Sequence, residues 1–292
     1  MPCELTFVRR KEKQAQMMVA DLSPPMLVEN IQLKLKQKIK TDGKHIRGCS
    51  LLPDGRMVIS CSDTNTVSFI NKEGVELFQI GKNKTGICTY DTVYIKDNNS
   101  VAVSSGRGNI AIIDIESLKV MITISMDTDI YGMAIRCKTI YYCTPNSGLK
   151  MLNLTDKSIS DITNNNMLGV LYVATSGDKL FYTNTNTHSV TCCDLHGATQ
   201  WKFKDERILQ CPRGISVDND GNVYVVGNRS NNVVVISPDG QRHRTLLSFK
   251  DGLSYPFVLD YDRSTNMLLV VNDSSVHFCL MLQGDSRRTV DY

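Results

Sequence analysis

The sequence is poor in several things that mark functional classes. No apolar run approaches the roughly 18 residues needed to cross a bilayer as a helix. None of the ten cysteines forms a C-x-x-C pair, and no Cys/His set has zinc spacing. The opening Met1-Pro2-Cys3-Glu4 lacks a charged lead followed by an apolar stretch, so no secretory signal is expected and the expected compartment is cytoplasmic. No G-x-S-x-G elbow, P-loop or H-E-x-x-H occurs. Tryptophan is nearly absent, with Trp201 the only one. Excess charge of one sign is also missing: 33 basic and 30 acidic residues leave +3. A chain so balanced is neither disordered by composition nor a generic polyanion binder.

What charge there is lies unevenly. Residues 1–44 carry nine Lys/Arg against five acids, and residues 45–292 carry 24 against 25. The positive charge belongs to an N-terminal arm, and the body is neutral. Most cysteines sit inside apolar alternation, as in Val58-Ile59-Ser60-Cys61 and Tyr141-Tyr142-Cys143, and read as reduced, small core residues.

A repeat runs through the body. Its clearest copy is Pro212-Arg213-Gly214-Ile215-Ser216-Val217-Asp218-Asn219-Asp220-Gly221, then Asn222–Asn228, Asn232–Ser237 and Pro238-Asp239-Gly240. This is strand, tight turn, strand, polar loop, strand, turn, with Asp-Gly supplying the turn chemistry. A fourth strand is expected near Arg244–Phe249. First-turn positions recur near 55, 98, 137, 177, 221 and 264, about 40 to 45 residues apart. Four short strands at that period indicate the blades of a β-propeller, and six copies predict six blades. Kelch repeats are longer, and WD repeats need a Trp-Asp pair per blade.

The last copy has three strands, Phe257–Tyr261, Met267–Val271 and Val276–Leu282, before a polar tail at 284–292. The missing strand is available upstream. Ile31, Leu33, Leu35 and Ile39 alternate with Lys34, Lys36, Lys38 and Lys40, giving one apolar and one lysine face. Residues 31–40 are therefore expected to be the outer strand of the last blade. This divides the chain into a linker at 1–27, a propeller at 28–283 and the tail.

The unit at 211–240 resembles an NHL repeat, in the order Pro-x-Gly-Ile-x-Val-Asp-x-Asp-Gly-Asn-Val-Tyr-Val, Asn-Asn-x-Val, Pro-Asp-Gly. The Asn-His-Leu triplet of the name is replaced by Asn231-Asn232-Val233. Ile31-Gln32-Leu33-Lys34-Leu35, the stretch from Gly48 to Val58, and Tyr90-Asp91-Thr92-Val93-Tyr94-Ile95 resemble the C-terminal half of tripartite-motif (TRIM) proteins of the bivalve type. In that family a RING finger, B-boxes and a coiled coil precede the propeller. The resemblance implies an E3 ubiquitin ligase whose propeller selects the target. The zinc framework is missing here, so this chain would be the recognition end and not itself an enzyme.

The chemistry of the inner strands bears on the alternatives. A calcium-dependent propeller hydrolase needs oxygen ligands around the axis. Of the residues leading into inner strands, only Asp91 is acidic, so no catalytic site, metal or cofactor is expected. The loops of one face carry Arg47, Arg107, His188, Arg213 and Arg229, the candidate partner-binding residues. The expected partner is a protein or ubiquitination substrate. RNA is the alternative, acting in post-transcriptional regulation, and it would need these arginines clustered with aromatic platforms.

Overall fold

The computed structural model describes residues 27–81, 85, 88–163, 169, 172–272 and 274–283, with backbone alone at 40–44 and 274–283. The expected linker and tail lie almost wholly outside the described residues, as do Cys3 and the side chain of Cys279.

Alternating apolar and polar residues, broken every few positions by Gly, Asn or Asp, make the chain almost wholly strand. After β1 (Gln32–Lys44), five four-stranded antiparallel sheets follow, each from successive strands. Sheet I holds β2 (Ile46–Leu51), β3 (Met57–Cys61), β4 (Thr66–Ile70) and β5 (Glu76–Ile80). Sheet II holds β6 (Thr89–Ile95), β7 (Ser100–Ser105), β8 (Asn109–Asp114) and β9 (Val120–Ser125). Sheet III holds β10 (Met133–Arg136), β11 (Thr139–Thr144), β12 (Gly148–Asn153) and β13 (Ile159–Asp161). Sheet IV holds β14 (Val173–Ser176), β15 (Lys179–Asn184), β16 (Ser189–Asp194) and β17 (Thr199–Phe203). Sheet V holds β18 (Pro212–Val217), β19 (Val223–Gly227), β20 (Asn232–Ile236) and β21 (His243–Leu247). Sheet VI combines β22 (Pro256–Asp262), β23 (Met267–Asn272) and β24 (Ser274–Gln283) with β1 as its outer strand.

Each first strand packs on the next in order, β2, β6, β10, β14, β18 and β22, and β22 returns to β2. The fold is an all-β propeller with these strands around its axis. Burial falls outward: β19 and β20 are buried throughout, while β21 has three exposed residues of five.

Backbone conformation repeats with the sheets. Left-handed residues close the first turn at Gly55, Asn99, Cys137, Gly177, Gly221 and Asn266. A second set, Asn65, Gly108, Gly148, His188 and Asn231, closes the hairpin between second and third strands of sheets I to V. Positive φ favours Gly and Asn, which is why these positions stand out in the sequence. In sheet V, Asp218 organises the first turn. It accepts the Asn222 N–H at 2.8 Å, the Asn222 amide at 2.9 Å and the Tyr224 hydroxyl at 3.0 Å.

Sheets meet closely at the axis. A Cβ on Gly48 would lie 2.6 Å from the Asp91 Cα of sheet II, and one on Gly214 would lie 2.6 Å from the Val258 Cα of sheet VI. A polar side chain at the end of a second strand then reaches the backbone of the next sheet. Ser60 donates to the Tyr90 carbonyl. Ser104 donates to that of Tyr131 at 2.7 Å, Thr183 to that of Arg213 at 2.8 Å and Asn228 to that of Pro256 at 3.1 Å.

Some element bounds differ from expectation. β1 runs to Lys44 and pairs antiparallel with β24, so it is longer than 31–40. Ahead of it, Val28 and Ile31 are buried with Tyr224, Val226 and Leu259 of sheets V and VI. The fourth strand of sheet V ends at Leu247, and Phe249–Asp251 is a 3-10 turn instead of strand. Ser248 and Asp251 cap this turn reciprocally, an arrangement that stops a strand. β6 starts at Thr89, before the expected Thr92, and β14 starts at Val173, with Val170 and Leu171 outside the described residues.

Candidate functional site at the mouth of the axis

A propeller strand that enters at one face leaves at the other, so the loops leading into the inner strands share a face with the second-to-third-strand hairpins. All five candidate residues lie on that face, and the structure divides them into two kinds.

Arg47 (β2) and Arg213 (β18) converge. Their guanidinium carbons lie 3.8 and 4.3 Å from the centre of the Phe257 ring of β22. Tyr172 meets Phe257 edge-on, with ring centres 6.1 Å apart, and its hydroxyl donates to the Arg47 carbonyl at 2.6 Å. Tyr90 lies 6.2 Å from Tyr172 and 4.8 Å from Tyr131. The cluster thus draws on the inner strands, or the residues just ahead of them, of every sheet, and it closes one end of the axis with aromatic rings. Phe257 and Tyr172 are 5% and 3% exposed. Burial pushes the Tyr90 phenol up to about 12, although the charges of Arg213 and Arg47 pull the other way.

Arg213 has an uncompensated donor. Its Nε is buried and has no hydrogen-bond partner among the described residues. A buried polar hydrogen without an acceptor costs about 1–3 kcal/mol, so such a group calls for a partner from protein, ordered water or ligand.

The remaining candidates stand apart. Arg107 and Arg229 are exposed at hairpin tips beside the left-handed Gly108 and near Asn231. His188 is itself a left-handed hairpin residue, and its Nδ1 accepts the Cys211 N–H of the lead to sheet V at 2.8 Å. Asn231 makes the matching bond one sheet on, accepting the Tyr255 N–H at 2.7 Å. The geometry gives His188 a role as an inter-sheet tie.

Deeper along the axis lies a cavity of about 290 Å³, lined in part by Ser50, Asp91, Thr92, Thr175, Ser216 and Asp260. The sequence reading found Asp91 but overlooked Asp260, which sits mid-strand and not in a loop. Each carboxylate ties two sheets. Asp91 accepts the N–H of Thr92 at 2.9 Å and of Met133 in sheet III at 2.8 Å. Asp260 accepts the N–H of Tyr261 at 2.9 Å and of Leu51 in sheet I at 2.9 Å. Burial raises both carboxyls, Asp91 to about 8 and Asp260 to about 6, against the pull of those hydrogen bonds. Among the described residues no three His, Cys, Asp or Glu side chains gather as a metal set, and no helix is long and apolar enough to cross a membrane. Of the described cysteines, none is in a disulfide; Cys137 is exposed, Cys88 partly so, and the others are buried.

No protein-family model matches the chain, and no curated protein matches it. Solved structures do. A structural-genomics protein of unknown function from Bacteroides thetaiotaomicron VPI-5482 superposes with a TM-score of 0.71 at 13% identity, covering 87% of this chain and 76% of that one. The virginiamycin B lyase of Staphylococcus aureus superposes with a TM-score of 0.63 at 13% identity, covering 87% of this chain and 100% of that one. A catalytically inactive form of that lyase with quinupristin gives 0.60 at 15%, covering 88% and 90%. At such identity the likeness shows the propeller fold alone.

Proposed function

We propose that this chain is a non-catalytic interaction module, a six-bladed NHL-like propeller that selects the partner or substrate of a tripartite-motif-type E3 ubiquitin ligase. The observation that carries the reading is the convergence of Arg47 and Arg213 on one buried ring at the axial mouth. The first residues of two inner strands of a rigid ring hold two cations in a fixed place, which is what selective recognition of a protein surface requires. The NHL-like unit at 211–240 and the six four-stranded sheets support the family reading. Catalysis has less support: the axial carboxylates spend their oxygens on backbone N–H groups that join sheets. RNA binding is the weaker alternative, because Phe257 and Tyr172 are buried and offer no open face for a base.

The test is partner capture with the intact chain and with a double variant, Arg47→Glu and Arg213→Glu. The variant is expected to lose the proteins the parent recovers while keeping its melting temperature within a few degrees. Unchanged recovery would move the interface to another face. A RING and B-box in the neighbouring coding sequence would support the ligase context, and their absence would count against it.

A further inference from the structure

Resting on that recognition reading, we infer that the axial mouth binds an acidic peptide segment, with a carboxylate of the ligand accepting from the Arg213 guanidinium. Three observations point there. The Nε of Arg213 is buried and lacks an acceptor among the described residues, so a ligand would meet the guanidinium at its Nη end. A carboxylate is the acceptor whose two oxygens match the paired Nη donors side by side. Arg47 stacks on the same Phe257 ring, which doubles the positive charge where that carboxylate would sit.

The surroundings favour peptide over nucleic acid. Phe249 and Tyr255, 71% and 59% exposed, stand in the connection leading to Phe257 and add apolar surface to the same face. Phe257 and Tyr172 themselves are buried, so neither ring offers an open face to a base. Beyond the mouth the body is neutral, so a long polyanion would find one local cationic point and not a track.

Fluorescence anisotropy of a labelled octaglutamate peptide tests the inference, with octaglutamine and octauridylate as comparators. Octaglutamate is expected to bind, and to weaken about tenfold between low and physiological salt. Octaglutamine is expected not to bind. Arg213→Ala should abolish the signal. Arg213→Lys keeps the charge but loses the fork and should weaken binding at least about fivefold. Lys72→Ala, in a turn on the opposite face, should leave it unchanged. Thermal melting confirms that each variant is folded; should Arg213→Ala fail to fold, Arg213→Lys carries the test. Equal binding of octaglutamate and octaglutamine, parental affinity in Arg213→Lys, tighter binding of octauridylate, or no binding of octaglutamate would each overturn the inference. If octaglutamate fails while partner capture still depends on Arg47 and Arg213, the recognition reading stands and only the acidic ligand falls.

Discussion

The mouth of the axis and its interior are a few residues apart on the same inner strands, yet their polar groups are used in opposite ways. In the interior, the carboxyl oxygens of buried Asp91 and half-buried Asp260 accept N–H groups across sheet boundaries. At the mouth, Arg213 keeps a buried donor with no acceptor among the described residues. A satisfied buried polar group rigidifies the ring, and an unsatisfied one costs stability without structural return. The contrast separates the two regions more sharply than residue type does, since both carry ionisable side chains and both line the axis.

Substitutions should break along that boundary. The largest effect is expected at the glycines where sheets meet. Gly48→Ala and Gly214→Ala push a methyl into backbone of the adjacent sheet and should each destabilise by about 2–3 kcal/mol in urea denaturation. Next is Asp260→Ala, which strips the acceptor from the Leu51 N–H at the seam between sheets VI and I. A loss of about 1–3 kcal/mol is expected in the same experiment. Both interior carboxyls have folded values raised above the unfolded value by burial, so the folded chain holds protons that the unfolded chain releases. Their contribution should therefore favour the fold at low pH and fade as pH rises from about 4 to about 8. Denaturation midpoints across that range should show the decline, and Asp91→Asn should flatten it. Smallest is the effect of Arg213→Ala at the mouth, within about 1 kcal/mol of the parent, because the substitution removes an unpaired donor along with the ring contact. A large loss of stability there would erase the distinction drawn between the two regions.

The architecture was legible because it is written in backbone chemistry. First turns expected near 55, 98, 137, 177, 221 and 264 fall at or within two residues of left-handed Gly55, Asn99, Cys137, Gly177, Gly221 and Asn266. Most of those residue types answer to local φ, which a sequence displays directly. The site was legible only in part. Arg47 and Arg213 were visible as loop cations, but their meeting on Phe257 depends on the curvature of the whole ring. Asp260 was hidden inside a strand, although an acid within Phe257-Val258-Leu259-Asp260-Tyr261 could have drawn notice as a charge on an otherwise apolar run. His188 has a structural part that its place in a loop does not reveal. A histidine among binding loops looks functional, and here its ring serves as the counterpart of the Asn231 amide.

The pairing of β1 with β24 has a consequence for synthesis. The two strands are neighbours in sheet VI but are separated by every other sheet in the order of translation. At roughly 5–20 residues per second, β1 leaves the ribosome on the order of ten to fifty seconds before its partner exists. For that interval it is a strand without a sheet. Lys34, Lys36 and Lys38 then sit on the segment most open to pairing with other chains, where positive charge discourages such encounters. Their value is greatest before the ring is complete, as guards of a nascent strand.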